Sequence, residues 1–387
     1  MYGTSLKALI NQIMDIKDGK IKIAYLSQVP APYRERMHEL IHQDHQFSYD
    51  VIYCAKLEPN RKWELEYGNY KMHFLTDVAK TFRHNNTNVW ALLKKLNPNV
   101  LIITAFKPTM LYGVIWCLLN GRKIIVYNDG TFNSEKSISM IQKQIRKFVY
   151  WVASSFMAPS KGTNDLYNSY GVGNDKIFRS CLCVDNSVFD NLPVRDREFT
   201  IMFSGQIIER KLPLFFANIA IELSKKIPGF KALIIGDGEQ REEMIERLKQ
   251  NNVDFEFTGF LDQKILPKYY SRAKLFLFTT KHDEWGIVAN EACASGTPVI
   301  TSVDAGAAND LIIHNINGYI LPINVNIWVE HILKLLGNDN LYNEFSINAL
   351  AMVAAYNHQQ AAGGLVDAVN YALAEKNKST QSNTITA

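Results

Sequence analysis

Two acids eight residues apart, Asp283 and Glu291, flank a glycine in the stretch TTKHDEWGIVANEACASGTPVI, residues 279–300. The run KLFLFTT before them reads as a strand ending near Thr280, and a helix is predicted from about Gly286 to Ser295. Gly286 has no Cβ, so another backbone or a phosphate can come close. The amides of Gly286, Ile287 and Val288 fall in the first turn of that helix. Donors there lack intrahelical acceptors and sit at the positive end of the dipole, which suits an anion. Helical side chains lean toward the N-terminus, so Glu291 reaches back toward the same mouth, while Asp283 approaches from the loop. Carboxylates beside a phosphate site accept hydrogen bonds from hydroxyls. A diphosphate between two hydroxyl acceptors is the chemical outline of a sugar nucleotide. A capping Asp283 and a solvated Glu291 account for the same two residues on physics alone, and both readings stand at this point.

The elements that must position this stretch form a regular series. KIAYLSQ, YDVIYC, VLIIT, KIIVYN and SFMAPS read as strands in the first half, and FTIMFSG, KALIIGDG, VDFEFTG, KLFLFTT and PVITS in the second. Continuous apolar runs separated by helical segments imply parallel strands covered by helices on both faces. The polar, proline-bearing stretch NSVFDNLPVRDREF, residues 186–199, interrupts the series and marks a domain boundary. The expected fold class is α/β, with two doubly wound Rossmann-like domains facing across a cleft. Residues 1–190 would form the first domain, 191–375 the second, and the polar segment 376–387 a disordered tail. Ligands in such sheets bind outside the carboxyl ends of strands.

Composition narrows the class. The 387 residues are 47% hydrophobic and 21% charged, ordinary for a globular protein, and the formal charge of +4 is too weak to argue for nucleic acid. Five scattered cysteines without a CxxC pair read as free core thiols in a reducing compartment. Residues 1–20 lack the apolar run of a signal peptide; Leu6, Leu9, Ile10, Ile13 and Met14 sketch a short amphipathic helix instead. The longest apolar stretch, MLYGVIWCLLNGRKIIVY, is broken by Gly121, Arg122 and Lys123 and reads as a buried helix, a turn and a strand. A cytoplasmic protein is expected.

DEWGIVANEACASGTPVI resembles the donor-site signature of family-4 retaining glycosyltransferases of the GT-B fold, the glycosyl transferases group 1. The likeness continues in order through FSGQIIERKLPL, LIIGDGEQREEM, FEFTGFLDQKILPKYYSRAKLFL and NDLIIHNINGYILP, roughly residues 200 to 322. The first half is similar more loosely, through APYRER and APSKGTNDLYNSYGV. The resemblance implies that Glu291 binds the ribose and Asp283 faces hydroxyls of the donor sugar. It places the diphosphate on the amides of Gly286, Ile287 and Val288, and Gly205 in the loop that opens the donor domain. Lys211 matches a phosphate-clamping Lys, whereas Gln206 stands where the family has Arg, with Arg210 as a substitute. The first signature acid is Asp283 rather than Glu, and Glu284 beside it competes for the role. Where the family has a His near the reacting carbon this chain reads IIVYNDGTFNSEK, leaving Asp129 as the candidate for the residue facing the donor. Asp129 and Gly130 as a simple turn remain an alternative. His38, His42 and His45 have a metal-like spacing but no nearby Cys, and a solvated helix face is the expectation.

The implied activity is a retaining, metal-independent transfer of a sugar from a nucleotide-diphosphate sugar to a glycan or lipid-linked acceptor, in cell-surface polysaccharide biosynthesis. No cofactor is expected beyond that donor substrate. The rivals are a sugar-nucleotide epimerase of the same fold and a catalytically silent nucleotide-sugar-binding homologue. The absence of GxGxxG after the first strand disfavours a dehydrogenase. Finally, KSISMIQKQIRKFVYWVASSF mixes Lys136, Lys143, Arg146 and Lys147 with Phe148, Tyr150 and Trp151. A basic, aromatic, amphipathic helix of this kind can rest on an anionic membrane, here the inner membrane surface; an ordinary basic face is the competing view.

Overall fold

The computed structural model describes residues 19–58, 67–79, 81–136, 138–189 and 196–374. It divides into two units, one comprising residues up to Leu182 together with those from His358 onward, the other Cys183–Asn357. In the first unit the strands are β1 (Ile21–Ser27), β2 (Phe47–Tyr53), β3 (Lys71–Phe74), β4 (Val100–Ile103), β5 (Lys123–Tyr127), β6 (Ser155–Ala158) and β7 (Ile177–Arg179). They form one sheet in the order β3-β2-β1-β4-β5-β6-β7, every pairing parallel. The central strands are buried along both faces, as the unbroken apolar runs of VLIIT and KIIVYN require. Helices Val89–Leu96 and Pro108–Leu119 bury Leu93, Met110 and Val114 against them.

The second unit contains β8 (Phe199–Ser204), β9 (Ala232–Ile235), β10 (Phe255–Gly259), β11 (Ala273–Phe278), β12 (Val299–Ser302) and β13 (Gly318–Leu321). Their order is β10-β9-β8-β11-β12-β13, again all parallel. The order reverses between β8 and β11, which pair directly, so the loops leaving these two strands sit side by side at the carboxyl edge. Phe216, Ile219 and Leu223 of helix Pro213–Ser224 pack with Trp328 and Ile332 of helix Val325–Leu336 on one core. Both sheets are of the parallel, Rossmann-like type that the sequence implied.

Three expectations change. The break falls at 182/183 rather than 190/191, and helix His358–Ala374, expected in the second domain, belongs to the first unit. The reason is packing on β6 and β7. The Ser155 hydroxyl donates to the Ala368 carbonyl and the Ser180 hydroxyl to the Ala361 carbonyl, each at 2.8 Å. Gly364 lets the helix sit on the β7 backbone, because a Cβ there would lie 1.8 Å from the Arg179 carbonyl oxygen. Helix Pro108–Leu119 is buried on one side only; Ile115, Leu118 and Leu119 are exposed. His38 lies in the core rather than on a solvated face: its Nδ1 meets the Tyr49 hydroxyl at 2.7 Å, and burial with help from Arg34 lowers its pKa to about 3. No group of His, Cys, Asp and Glu among the described residues could hold a metal ion. No described helix is long and apolar enough to cross a membrane. The N-terminal helix sketched from Leu6 to Met14 and the tail 376–387 lie outside the described residues.

Candidate functional site

The loop leaving β8 is shaped by glycines in close backbone contact. Gly205 has φ 141° and Gly236, after β9, has φ 126°; a Cβ on Gly236 would meet the Gly205 carbonyl oxygen at 1.8 Å. The GDG turn at 236–238 therefore serves to pack the β9 loop against the β8 loop. Beyond it, Glu209–Lys211 makes a single tight turn before helix Pro213–Ser224. This turn is fastened to the loop leaving β11. The Lys281 amide donates to the Arg210 carbonyl at 2.8 Å, and the Thr279 hydroxyl to the Lys211 carbonyl at 2.9 Å. Arg210 and Lys211 are thus held beside the acids of the opening motif.

The Asp283 carboxylate takes both cations on one oxygen, Oδ2: the Lys211 ammonium, and the Arg210 guanidinium at 3.2 Å. Arg210 also donates to the His282 carbonyl at 2.9 Å. Burial pushes the Asp283 pKa up, but Lys211 and Arg210 outweigh it and hold the carboxyl below its usual range. The Lys211 ammonium also lies 5.0 Å from the centre of the Phe278 ring. That ring occupies the space a side chain at residue 286 would need: Gly286 has φ 89°, and a Cβ would come within 2.2 Å of Phe278 Cζ. Helix Ile287–Ala294 starts immediately after, so the amides of Gly286, Ile287 and Val288 have no acceptor within it. The loop-to-helix turn is fixed by buried Trp285, whose indole N–H donates to Asn290 Oδ1 at 2.7 Å while its ring stacks on Tyr356. Glu284, half-buried, faces the loop after β12 through its backbone, where Gly306 leaves room for its carbonyl.

Glu291 is not a solvated charge. It is only 7% exposed, and its Oε2 accepts a 2.6 Å hydrogen bond from the Tyr270 hydroxyl. Burial raises its pKa to about 7, although the Tyr270 hydrogen bond works in the other direction. Buried Arg197 supports the far end of the helix, donating to the carbonyls of Ser295 and Gly296. A carboxyl placed one turn inside an apolar helix, beside a pair of cations and a set of first-turn amides, can accept hydroxyls next to a bound anion.

Gly205, Arg210, Lys211, Asp283, Glu284, Gly286, Ile287, Val288 and Glu291 thus all lie on the two loops and the helix that follow the paired strands β8 and β11. Asp129 belongs to the first unit, two residues beyond β5 and half-buried. Its neighbourhood contains a residue that the motif analysis passed over, Arg34 from APYRER. Arg34 is buried, donates to the Tyr25 hydroxyl at 2.7 Å and lies 4.3 Å from the centre of the Tyr127 ring. Burial disfavours its charge, but Tyr25, Tyr127, Tyr33 and the Asp129 carboxylate hold it protonated well above its ordinary range. Tyr270 was missed as well. The signal for it was its place in YYSRAKLFL, leading into β11, where a buried hydroxyl needs a partner.

Comparison with known proteins finds similarity over the same part of the chain. The family model described as glycosyl transferases group 1 matches residues 185–352. A 2-deoxystreptamine N-acetyl-D-glucosaminyltransferase of Niallia circulans is 32% identical over 153 residues, 39% of this chain and 39% of the relative. A D-inositol 3-phosphate glycosyltransferase of Nocardia farcinica is 28% identical over 185 residues, 45% of this chain and 41% of the relative. The matched stretch therefore spans about two fifths of the length of these relatives. Among solved structures, HepE of Anabaena in complex with UDP superimposes with a TM-score of 0.69 at 15% identity, covering 94% of this chain and 100% of that one. Sucrose-phosphate synthase of Thermosynechococcus elongatus gives 0.70 at 18% identity, covering 92% and 100%. Residues 185–352, which carry the Arg210, Lys211, Asp283 and Glu291 cluster, thus match the glycosyl transferases group 1 model, within a chain of GT-B fold.

Proposed function

We propose that the chain is a retaining glycosyltransferase that moves a sugar from a nucleotide-diphosphate sugar to a glycan or lipid-linked acceptor, in the building of cell-surface polysaccharide. The observation that carries this reading is the Arg210–Lys211 pair beside the first turn of helix Ile287–Ala294, with buried Glu291 one turn inside. In this reading Glu291 accepts the ribose hydroxyls and Asp283 the hydroxyls of the transferred sugar. The bond from the anomeric carbon to the diphosphate breaks, and one to an acceptor hydroxyl oxygen forms. The hydroxyl proton leaves with the diphosphate. Lys211, Arg210 and the amides of Gly286 to Val288 stabilise the negative charge that builds on the leaving group, without a metal ion or other cofactor. Asp129 is the candidate for stabilising positive charge on the anomeric carbon, in place of the His of related enzymes.

The test is thermal unfolding with UDP, GDP, ADP and their sugars; UDP heads the panel because HepE was solved with it. A nucleotide at a hundred times its dissociation constant should add about 2.7 kcal/mol of stability, and Glu291→Ala should remove the shift. No shift with any nucleotide would overturn the donor-site reading. Turnover with an acceptor, abolished in Asp129→Ala while nucleotide binding survives, would separate transfer from silent binding. An epimer formed without any acceptor would favour the epimerase.

A further inference from the structure

Helix Met140–Val152 of the first unit presents an outward face that the donor-site reading does not use. Its start is fixed by a reciprocal cap: the Ser139 hydroxyl accepts from the Gln142 amide and the Gln142 side chain accepts from the Ser139 amide. Its inner side is held by buried Val149 and Tyr150 and by Arg146, which pairs with Glu135 at 2.9 Å. Ile145 and Val152 pack against the same core. Rotating about 100° per residue, Lys143, Lys147, Met140, Trp151, Gln144, Phe148 and Ile141 fall, in that angular order, on one arc of roughly 160°. Four are large and apolar, with Met140 70%, Ile141 74%, Phe148 45% and Trp151 80% exposed. Lys143 and Lys147 lie together at one edge of the arc and form no ion pair among the described residues. No acidic residue occurs between Lys136 and Asn164. A cavity of about 540 Å³ is lined by Lys147, Phe148 and Trp151 together with Tyr170 and Lys176.

We propose that this face docks the protein on an anionic lipid surface, with Met140, Ile141, Phe148 and Trp151 entering the headgroup boundary. Lys143 and Lys147 then lie against lipid phosphates, and the cavity between Lys147 and Lys176 takes a headgroup. Charge complementarity selects this occupant. The arc offers cations and apolar tips with no carboxylate among them, which suits a negatively charged surface whose depth is apolar. An indole at the centre of the arc fits the same place, since Trp favours the boundary between water and hydrocarbon. The inference stands on this helix alone and does not depend on the donor-site reading.

The experiment is co-sedimentation of the full chain with vesicles of phosphatidylcholine, with and without phosphatidylglycerol. Binding to the mixed vesicles, weakened by salt and far weaker on phosphatidylcholine alone, is the expected result. Lys143→Ala/Lys147→Ala should lower the partition coefficient roughly thirtyfold, which is about 2 kcal/mol at 1.4 kcal/mol per decade, or ~1 kcal/mol for each lysine. Met140→Ser/Trp151→Ser should remove the salt-resistant remainder. All four positions point outward, so the melting temperature should hold and a binding loss cannot be ascribed to unfolding. Wild-type protein that ignores phosphatidylglycerol, or variants that bind as well as wild type, would overturn the proposal. Self-association in vesicle-free buffer that the same variants abolish would also overturn it, by showing the face to be a protein interface.

Discussion

At the scale of single residues, Asp283 and Glu291 are two carboxyls whose surroundings push them in opposite directions. Asp283 is held below the usual range because two cations outweigh its burial. A depressed folded pKa gives stability that is present above the unfolded value, about 3.9, and is lost as pH falls below it through the folded one. Asp283→Asn should therefore lower stability at neutral pH, by somewhat less than the ~3–5 kcal/mol of a fully buried pair, because Arg210 keeps solvent contact. The gap from wild type should close in acid, as urea unfolding at several pH values would reveal. The same substitution releases Arg210 and Lys211 for an anionic ligand, so nucleoside diphosphate should bind more tightly even if sugar recognition suffers; weaker binding would deny those cations a phosphate role. Glu291 is the mirror case, raised to about 7. Its contribution is complete below the unfolded value of about 4.3 and is lost as pH rises from there through 7, to a total of ~4 kcal/mol. Glu291→Gln should thus match wild type near pH 4 and exceed its stability at pH 8. If ribose hydroxyls donate to this carboxylate, nucleotide affinity should also rise through pH 7 in wild type more than in Glu291→Gln, a difference that calorimetric titration would measure.

At the scale of elements, the turn from β11 into helix Ile287–Ala294 depends on one residue without a side chain. Gly286 combines φ 89° with a Phe278 ring lying where its Cβ would be, whereas Gly229 in the same unit has φ 69° and open space around it. Gly229→Ala should cost about 1 kcal/mol, the left-handed strain alone, and Gly286→Ala should exceed 2 kcal/mol by adding the collision. Denaturant midpoints for the two variants make the comparison; equal losses would mean that Phe278 moves aside freely. This turn was legible in the sequence because strand, glycine and helix signals are local and follow one another without interruption. So were the central strands, whose apolar runs are buried on both faces. The edge strands β3, β7 and β13 were not: β3 and β7 are half-exposed and carry no unbroken apolar run, and β13, though largely buried, is only four residues long and opens on a glycine. Glu291 stands out in the sequence by its spacing from Asp283, but its burial and its Tyr270 partner arise from tertiary packing between residues 21 positions apart.

At the scale of the whole molecule, reading the chain in order found two doubly wound sheets but assigned the last helix to the wrong one. Nothing in HQQAAGGLVDAVNYALA names its partner: the apolar face of Ala361, Leu365, Ala368 and Val369 would suit either sheet. The choice is made by matches distant in sequence, namely the hydroxyls of Ser155 and Ser180 and the bare Cα of Gly364 against Arg179. That assignment has a measurable consequence. A chain ending at Asn357 keeps every residue of the second unit but strips the first of its cover over β6 and β7. Calorimetry should show the second unit's transition unchanged and the first unit's lowered or lost, because the cut leaves two buried hydroxyls without acceptors and an apolar stripe facing water. Gly364→Ala should act the same way more weakly, and nucleotide-induced stabilisation should persist in both variants. If the second unit's transition fell instead, the helix would belong with the sheet that precedes it in sequence, and the return of the chain to its first unit would be refuted.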